Sequence, residues 1–328
     1  MSTFDPDGPG VPGRLYGLPY NPDAKVRILP VPFQATTSFR PGTAGGPQAV
    51  LDASVQVDLW DPEVDSPWEE GIALEPVLPG VEELDARTRD LVLRVRDGDL
   101  SARAAVNDAG RHLTEQVRAW AQAQLQQGRI PGVLGGDHSV PLGAMQAAAE
   151  AHPGLGILHV DAHADLRPAY EGFTYSHASI FNNVMKLPVG PLVQVGIRDQ
   201  GQVEARAQAR DERIKVWRDG DLAAALAQGE SWQSLVDQML APLPELVWIS
   251  IDIDGLDPAL CPNTGTPVPG GLDWHQVLVL LASLGRSGRR IVGFDLCEVG
   301  PEEWDATVGA RLLYKLATWA IHTNRKLS

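Results

Sequence analysis

Cysteine is nearly missing from this chain: there are two in 328 residues, Cys261 and Cys297. Each lies in or beside a segment that reads as core, which excludes a disulfide framework and fits a reducing, cytoplasmic compartment. Basic charge is short as well. Lys and Arg number 27 against 42 Asp and Glu, a formal net charge of -15. That balance argues against nonspecific nucleic-acid binding, which needs a basic footprint. It suits attraction of a cation, whether metal or substrate, and equally suits plain solubility. No apolar run approaches the ~18 residues of a membrane span. The opening stretch "MSTFDPDGPGVPGRLYGLPYNP" is rich in Pro and Gly and lacks the apolar segment of a signal peptide. Neither a membrane nor a nucleic-acid partner is expected.

What is present is apolar enough for a large core, with 44% hydrophobic residues. Short β-branched or apolar runs predict strands at 26–32, 131–134, 156–160, 192–197, 214–217, 246–253 and 290–297. Most are continuous rather than alternating, as parallel strands covered on both faces require. Amphipathic stretches predict helices over 101–127, 232–240, 274–284 and 306–322, with Ser101 as N-cap and Gly128 as stop of the first. The alternation from about residue 130 onward argues for an α/β fold, a mainly parallel sheet wrapped by helices in three α/β/α layers. Residues 62–100, mixed in Pro, Gly and acids, read as a surface excursion. The expected organisation is an N-terminal extension over 1–25 and one domain over 26–328.

In open α/β sheets function gathers at the carboxyl ends of strands, and three polar clusters are placed there. "GVLGGDHSV" sets Asp137, His138 and Ser139 after an apolar run, at what reads as a helix start. "LHVDAHADLRP" sets Asp161, His163 and Asp165 two residues apart. "VWISIDIDGLDP" ends a strand on Asp252 and Asp254. Residues i and i+2 of an extended segment share a face, so each set converges if strand geometry persists. Four carboxylates in one cleft resist ionisation unless cations balance them. Oxygen-rich ligation with some imidazole points to two Mn²⁺ rather than to zinc held by thiolates. Any one cluster alone could be a turn, a helix cap or a polar loop; three at strand ends are more specific. His159, inside a strand, reads as a satisfied core histidine. His112, His152, His275 and His322 read as surface or helix residues, and the nine tryptophans as packing.

"GGDHS", "DAHAD" and "SIDIDGLDPALCPNTGTPVPGG" resemble, in order and spacing, the signature blocks of the ureohydrolases: arginases, agmatinases and their relatives. "RPGTAGGPQAV" and "GFDLCEV" resemble the outer blocks of that family. The resemblance implies two Mn²⁺ ions per chain. His138, Asp161, Asp165 and Asp252 would hold one; Asp161, His163, Asp252 and Asp254 would hold the other. It further implies a catalytic role for Asp254, His177 of "YEGFTYSHAS" as proton shuttle, and Glu298 as partner of the substrate guanidinium. The implied reaction is hydrolysis of a guanidino or amidino C–N bond, with agmatine ahead of formiminoglutamate or guanidinobutyrate. Arg167 stands where arginases carry an asparagine, which disfavours arginine as substrate. It would suit a carboxylate-bearing tail, or else form an ion pair with Glu171 or another acid. A metal-binding scaffold without activity is a further reading; amide deacetylation, which would call for adjacent histidines, is a distant one. The family resemblance also implies a homo-oligomer, trimer or hexamer.

Overall fold

The computed structural model describes residues 4–325. Eight strands form one sheet, all paired in parallel, in the order β2-β1-β3-β8-β7-β4-β5-β6. They are β1 (Val26–Val31), β2 (Ile72–Leu74), β3 (Ile130–Gly135), β4 (Gly156–Val160), β5 (Leu192–Ile197), β6 (Ile214–Arg218), β7 (Leu246–Asp252) and β8 (Arg290–Cys297). The inner strands β1, β3, β4 and β5 are buried along their whole length, which is why they read as continuous apolar runs. The outer strand β6 is mostly uncovered.

Helices cover both faces and complete the three layers. On one side α1 (Gly46–Ser54), α7 (Asp219–Ala227), α8 (Trp232–Leu240), α9 (Trp274–Arg286) and α10 (Glu303–Asn324) contribute to one core cluster. On the other, α3 (Arg103–Gln126), α4 (Leu142–Ala151), α5 (Ile180–Val184) and α6 (Gln202–Arg210) pack into a second, together with Val81 and Leu84 of α2 (Val81–Arg96). Local chemistry sets several ends. Asp273 and Gln276 form a capping box at α9, and the Ser231 hydroxyl accepts from Ser234 N at α8. Gly128, at φ 69°, follows the last turn of α3.

Two expectations change. Residues 62–100 are no mere surface excursion: they supply β2, which pairs with β1 at one edge of the sheet, and α2. Ser101 does not cap α3, because a short 3-10 turn over Leu100–Ala102 intervenes, and Asp99 caps that instead. The end of the stretch expected as an extension is tied down. Leu15, Tyr16 and Leu18 are buried, and the Tyr16 hydroxyl donates to Ala310 O of α10. Among the described residues, no helix is long and apolar enough to cross a membrane.

The sheet's centre is packed around Trp248, fully buried on β7. A Cβ at Gly293 of the neighbouring β8 would meet that indole at 2.1 Å, so only glycine fits there. The indole Nε1 donates to the Asp295 side-chain carboxyl at 2.6 Å, placing an acidic residue inside the apolar layer beneath the loops described next.

Candidate metal centre

Because the strands are parallel, β3, β8, β7 and β4 end on one side, and these four are neighbours in the sheet. After β3 the chain passes so close to Phe33 that a Cβ at Gly136 would lie 2.1 Å from its carbonyl oxygen. The turn that follows carries Asp137, His138 and Ser139, and α4 begins only at Leu142, not at Asp137 as the sequence suggested. After β4 the extended geometry stops at Val160. Asp161, His163 and Asp165 therefore converge through a loop rather than along a strand face. Asp165 takes the left-handed conformation (φ 52°), one that Asp tolerates better than most residues. After β7, Ile253–Gly255 form a 3-10 turn in which the Asp252 carboxylate accepts from Asp254 N at 2.9 Å.

All six expected ligands meet. His138 Nδ1 lies 3.1 Å from Asp161 Oδ2, 3.3 Å from Asp165 Oδ2 and 3.5 Å from Asp252 Oδ2. His163 Nδ1 lies 3.5 Å from Asp161 Oδ1 and 3.0 Å from Asp254 Oδ2. The two oxygens of Asp161 thus face different imidazoles, as a carboxylate shared between two ions would. Asp161, Asp252 and Asp254 are buried, and so is His138.

Electrostatics there are strained by proximity. Burial alone would raise Asp161, but His159, His138 and His163 outweigh it and hold the carboxyl well below its usual range. Burial, with Asp254 and Asp161 beside it, pushes Asp252 well above that range. Burial and the charge of Asp161 bring Asp165 up to about 7. A set of four carboxylates and two imidazoles whose charges conflict in this way fits one or more divalent cations with oxygen and nitrogen preference. Cys297 is closer to the set than the sequence suggested, forming a donor group with His138 and Asp295. Burial and Asp295 keep its thiol well above the ordinary range, so it stays a protonated, poor ligand.

Two groups behind His138 escaped the sequence reading. The Ser250 hydroxyl lies 2.9 Å from His138 Nε2 and donates to Asp295 Oδ1 at 2.8 Å. This arrangement holds Nδ1 towards the carboxylates. The available signal was a charged residue inside the buried run "IVGFDLC". His159, expected as a satisfied core histidine, is one: Gln194 Nε2 lies 3.0 Å from its Nδ1, and its Nε2 lies 2.8 Å from Asp161 Oδ2. It therefore also steadies a candidate ligand.

A cavity of about 190 Å³ opens on the cluster, bordered by His163, Asp165, Asp252, His177, Glu298, Arg167, Tyr170 and Asp199 among others. Glu298 is no surface glutamate. It is 4% exposed, sits at φ 61°, and its Oε1 accepts from His138 N at 3.1 Å. Its Oε2 is buried without a partner. Burial, then Asp137 and Asp254, raise its carboxyl well above the usual range, the condition of an acid site waiting for a cation. His177 opens a 3-10 turn over His177–Ser179; its Nε2 is 3.5 Å from the Ser38 hydroxyl and its Nδ1 has no partner. Burial, with His163, His138 and Arg96 nearby, draws its pKa down to about 3, so it is a neutral base at ordinary pH. Arg167 pairs through Nε with the buried Glu204 at 3.3 Å and lies over the Tyr170 ring. Glu171 is not its partner, because it pairs with Arg96 at 2.8 Å.

The model of the arginase family matches residues 24–320. The N(1)-aminopropylagmatine ureohydrolase of Thermus thermophilus is 38% identical over 286 residues, 86% of this chain and 85% of that protein. The guanidinobutyrase of Pseudomonas aeruginosa is 31% identical over 304 residues, 87% of this chain and 83% of that one. Among solved structures, proclavaminate amidinohydrolase from Streptomyces clavuligerus superposes with a TM-score of 0.75 at 24% identity, over 96% of this chain and 98% of the other.

Proposed function

Since this chain belongs to the arginase family, we propose that it is a manganese-dependent hydrolase of a guanidino C–N bond. We propose as its substrate an amine-tailed compound of the agmatine or N(1)-aminopropylagmatine kind, with urea as product. The observation that carries this reading is the unpartnered Oε2 of Glu298 on the same cavity as His163, Asp165 and Asp252. A guanidinium is planar and cationic, and a buried carboxylate beside a cation-binding cluster suits it. His138, Asp161, Asp165 and Asp252 would hold one Mn²⁺, and Asp161, His163, Asp252 and Asp254 the other. Bound there, manganese supplies acidified water, the source of a strong nucleophile at neutral pH.

The chain's own residues would do the rest. Glu298 holds the guanidinium in place and fixes which face of its carbon is presented. Asp254 would steady the amino groups on that carbon as it becomes tetrahedral. His177, neutral and bordering the cavity, can take up a proton and return it to the departing amine, a poor leaving group otherwise. The amine tail is supported by the Arg167–Glu204 pair, which offsets the one arginine charge on the cavity's border, and by the relative from Thermus thermophilus.

A second reading has its own observation. Among the described residues, Nη1 and Nη2 of Arg167 make no hydrogen bond within the chain; only Nε is paired. They could receive a carboxylate tail, as guanidinobutyrate or formiminoglutamate would offer, and a guanidinobutyrase is among the relatives. Release of urea or formamide from the Mn-loaded protein separates the two. The screen should cover agmatine, N(1)-aminopropylagmatine, guanidinobutyrate, guanidinopropionate, arginine, formiminoglutamate and guanidine. Turnover of guanidinobutyrate without agmatine would overturn the amine-tail reading; no turnover of any would favour a metal-binding scaffold.

A further inference from the structure

Arg198 follows β5 directly and is half-buried. An arginine there, against the loop that carries the candidate ligand Asp254, would be expected to seek a carboxylate. Instead all six of its side-chain hydrogen bonds go to backbone carbonyls. Nη2 donates to Asp254 O at 2.6 Å, Val268 O at 2.9 Å and Leu256 O at 3.1 Å. Nη1 donates to Gly196 O at 3.2 Å and Gly255 O at 3.4 Å, and Nε to Val268 O at 3.2 Å.

The main chain of the same residue reaches the other ligand loop. Arg198 N donates to Ala162 O at 2.8 Å. Ala162 N in turn donates to Asp254 Oδ1 at 3.1 Å. A closed circuit results: the Arg198 guanidinium grips the carbonyl of Asp254, its amide grips Ala162, and Ala162 grips the carboxylate of Asp254. Asp254 Oδ2 is left facing His163 Nδ1 at 3.0 Å. Arg198 therefore fixes one end of a candidate ligand directly and the other through Ala162. The chemistry requires arginine, whose rigid fork carries five N–H donors; lysine offers three from a single point.

We infer that Arg198 is the positioning residue for the His163–Asp254 half of the centre, and that it sets the affinity of the second ion more than that of the first. His138 and Asp165, which complete the first half, make no hydrogen bond with it. The inference rests on the two-ion reading above. Outer partners of metal ligands are worth roughly 10–100-fold in metal affinity.

The test is calorimetric titration of the metal-stripped full chain with Mn²⁺, for wild type, Arg198→Lys and Arg198→Gln, beside thermal melts. The second ion should weaken about 10–100-fold with the first unchanged, and Lys should lose less than Gln. Two ions held as in wild type by both variants would overturn the inference. So would equal weakening of both ions in step with the melting temperature, the mark of a merely structural arginine. Should neither variant fold, Thr266→Val probes the same loop, because the Thr266 hydroxyl lies 3.3 Å from Asp254 Oδ2. It should weaken the second ion selectively, and wild-type binding there would count against the proposal. A wild-type chain that takes up a single ion would remove the two-ion reading itself, a result visible before any variant is made.

Discussion

Arg167 Nε lies 3.3 Å from Glu204 Oε2, and this contact governs the charge that the cavity presents to a substrate tail. Glu204 is itself locked, accepting from Leu166 N at 3.1 Å and Gly201 N at 2.7 Å. Without it, two like charges ~6 Å apart at an effective dielectric of ~20 would repel by roughly 3 kcal/mol, about two orders of magnitude in affinity. Arg167→Ala should therefore leave kcat/KM for agmatine level or raise it. If the true substrate bears a carboxylate, the KM for that substrate should instead rise about 10–100-fold, the scale of a lost charged hydrogen bond. Steady-state kinetics on agmatine and guanidinobutyrate distinguish the two.

Elemental analysis of the Mn-reconstituted chain should approach two metals. Asp252→Ala should hold at most one and lose turnover while keeping its circular dichroism spectrum, because the other aspartates still form a partial site. Full loading of that variant would refute the shared-carboxylate assignment.

Glu298→Gln should raise KM by about 10–100-fold, the scale of one lost hydrogen bond to a charged group, with metal content intact. His177→Ala should keep its metal and substrate affinity while kcat falls by roughly 10²–10⁴. Wild-type turnover in the His177 variant would make that residue a bystander.

Metal uptake should depend on pH in a defined direction. Burial and Asp161 hold Asp165 protonated up to about 7, against an ordinary 3.8. The folded metal-free chain thus keeps a proton that the unfolded chain releases. Stability from this source is complete below the ordinary value and is lost as pH rises through about 7. Bound cations remove the conflict, and protons must leave for them to bind. The melting-temperature gap between Mn-loaded and metal-free protein should widen from about pH 5 to about pH 8, and Mn²⁺ affinity should rise over the same window. A narrowing gap would contradict the assignment of Asp165.

Cys261 and Cys297 are free, fully buried, and held in thiol form by that burial. A thiol reagent should label neither in the native state and both after denaturation.

The strands and the donor residues were legible in the sequence for the same reason: inner parallel strands are continuous apolar runs, and polar groups crowd where those runs stop. β2 escaped because its three residues, Ile72–Leu74, are embedded in Pro, Gly and acids and pair on one side only. The start of α4 was misplaced because the helix is alanine-rich and buried on most sides, leaving no polar face to set a period. α2 does carry apolar residues at 81, 84, 92 and 95, with Thr88 buried between them, but its charged, Pro-flanked context hid them. At the site, Ser250 and Asp295 act through side chains that sequence spacing cannot pair. Arg198 was invisible because its partners are carbonyl oxygens, which every residue has. The left-handed backbone at Glu298 likewise has no signature in residue type.

The place of β8 in the sheet has a consequence for how the protein comes into being. It is the last of the eight strands along the chain, yet it lies between β3 and β7 in the middle of the sheet. On a ribosome, β3 and β7 each wait with an open edge until residues 290–297 emerge, so the nascent sheet remains split in two. Long-range closure of this kind is slow, and unpaired edges are exposed meanwhile. The loop bearing His138 and the loops bearing the aspartates lie on opposite sides of that gap. Metal capture should therefore be a late event in synthesis, after the central strand has joined the two halves.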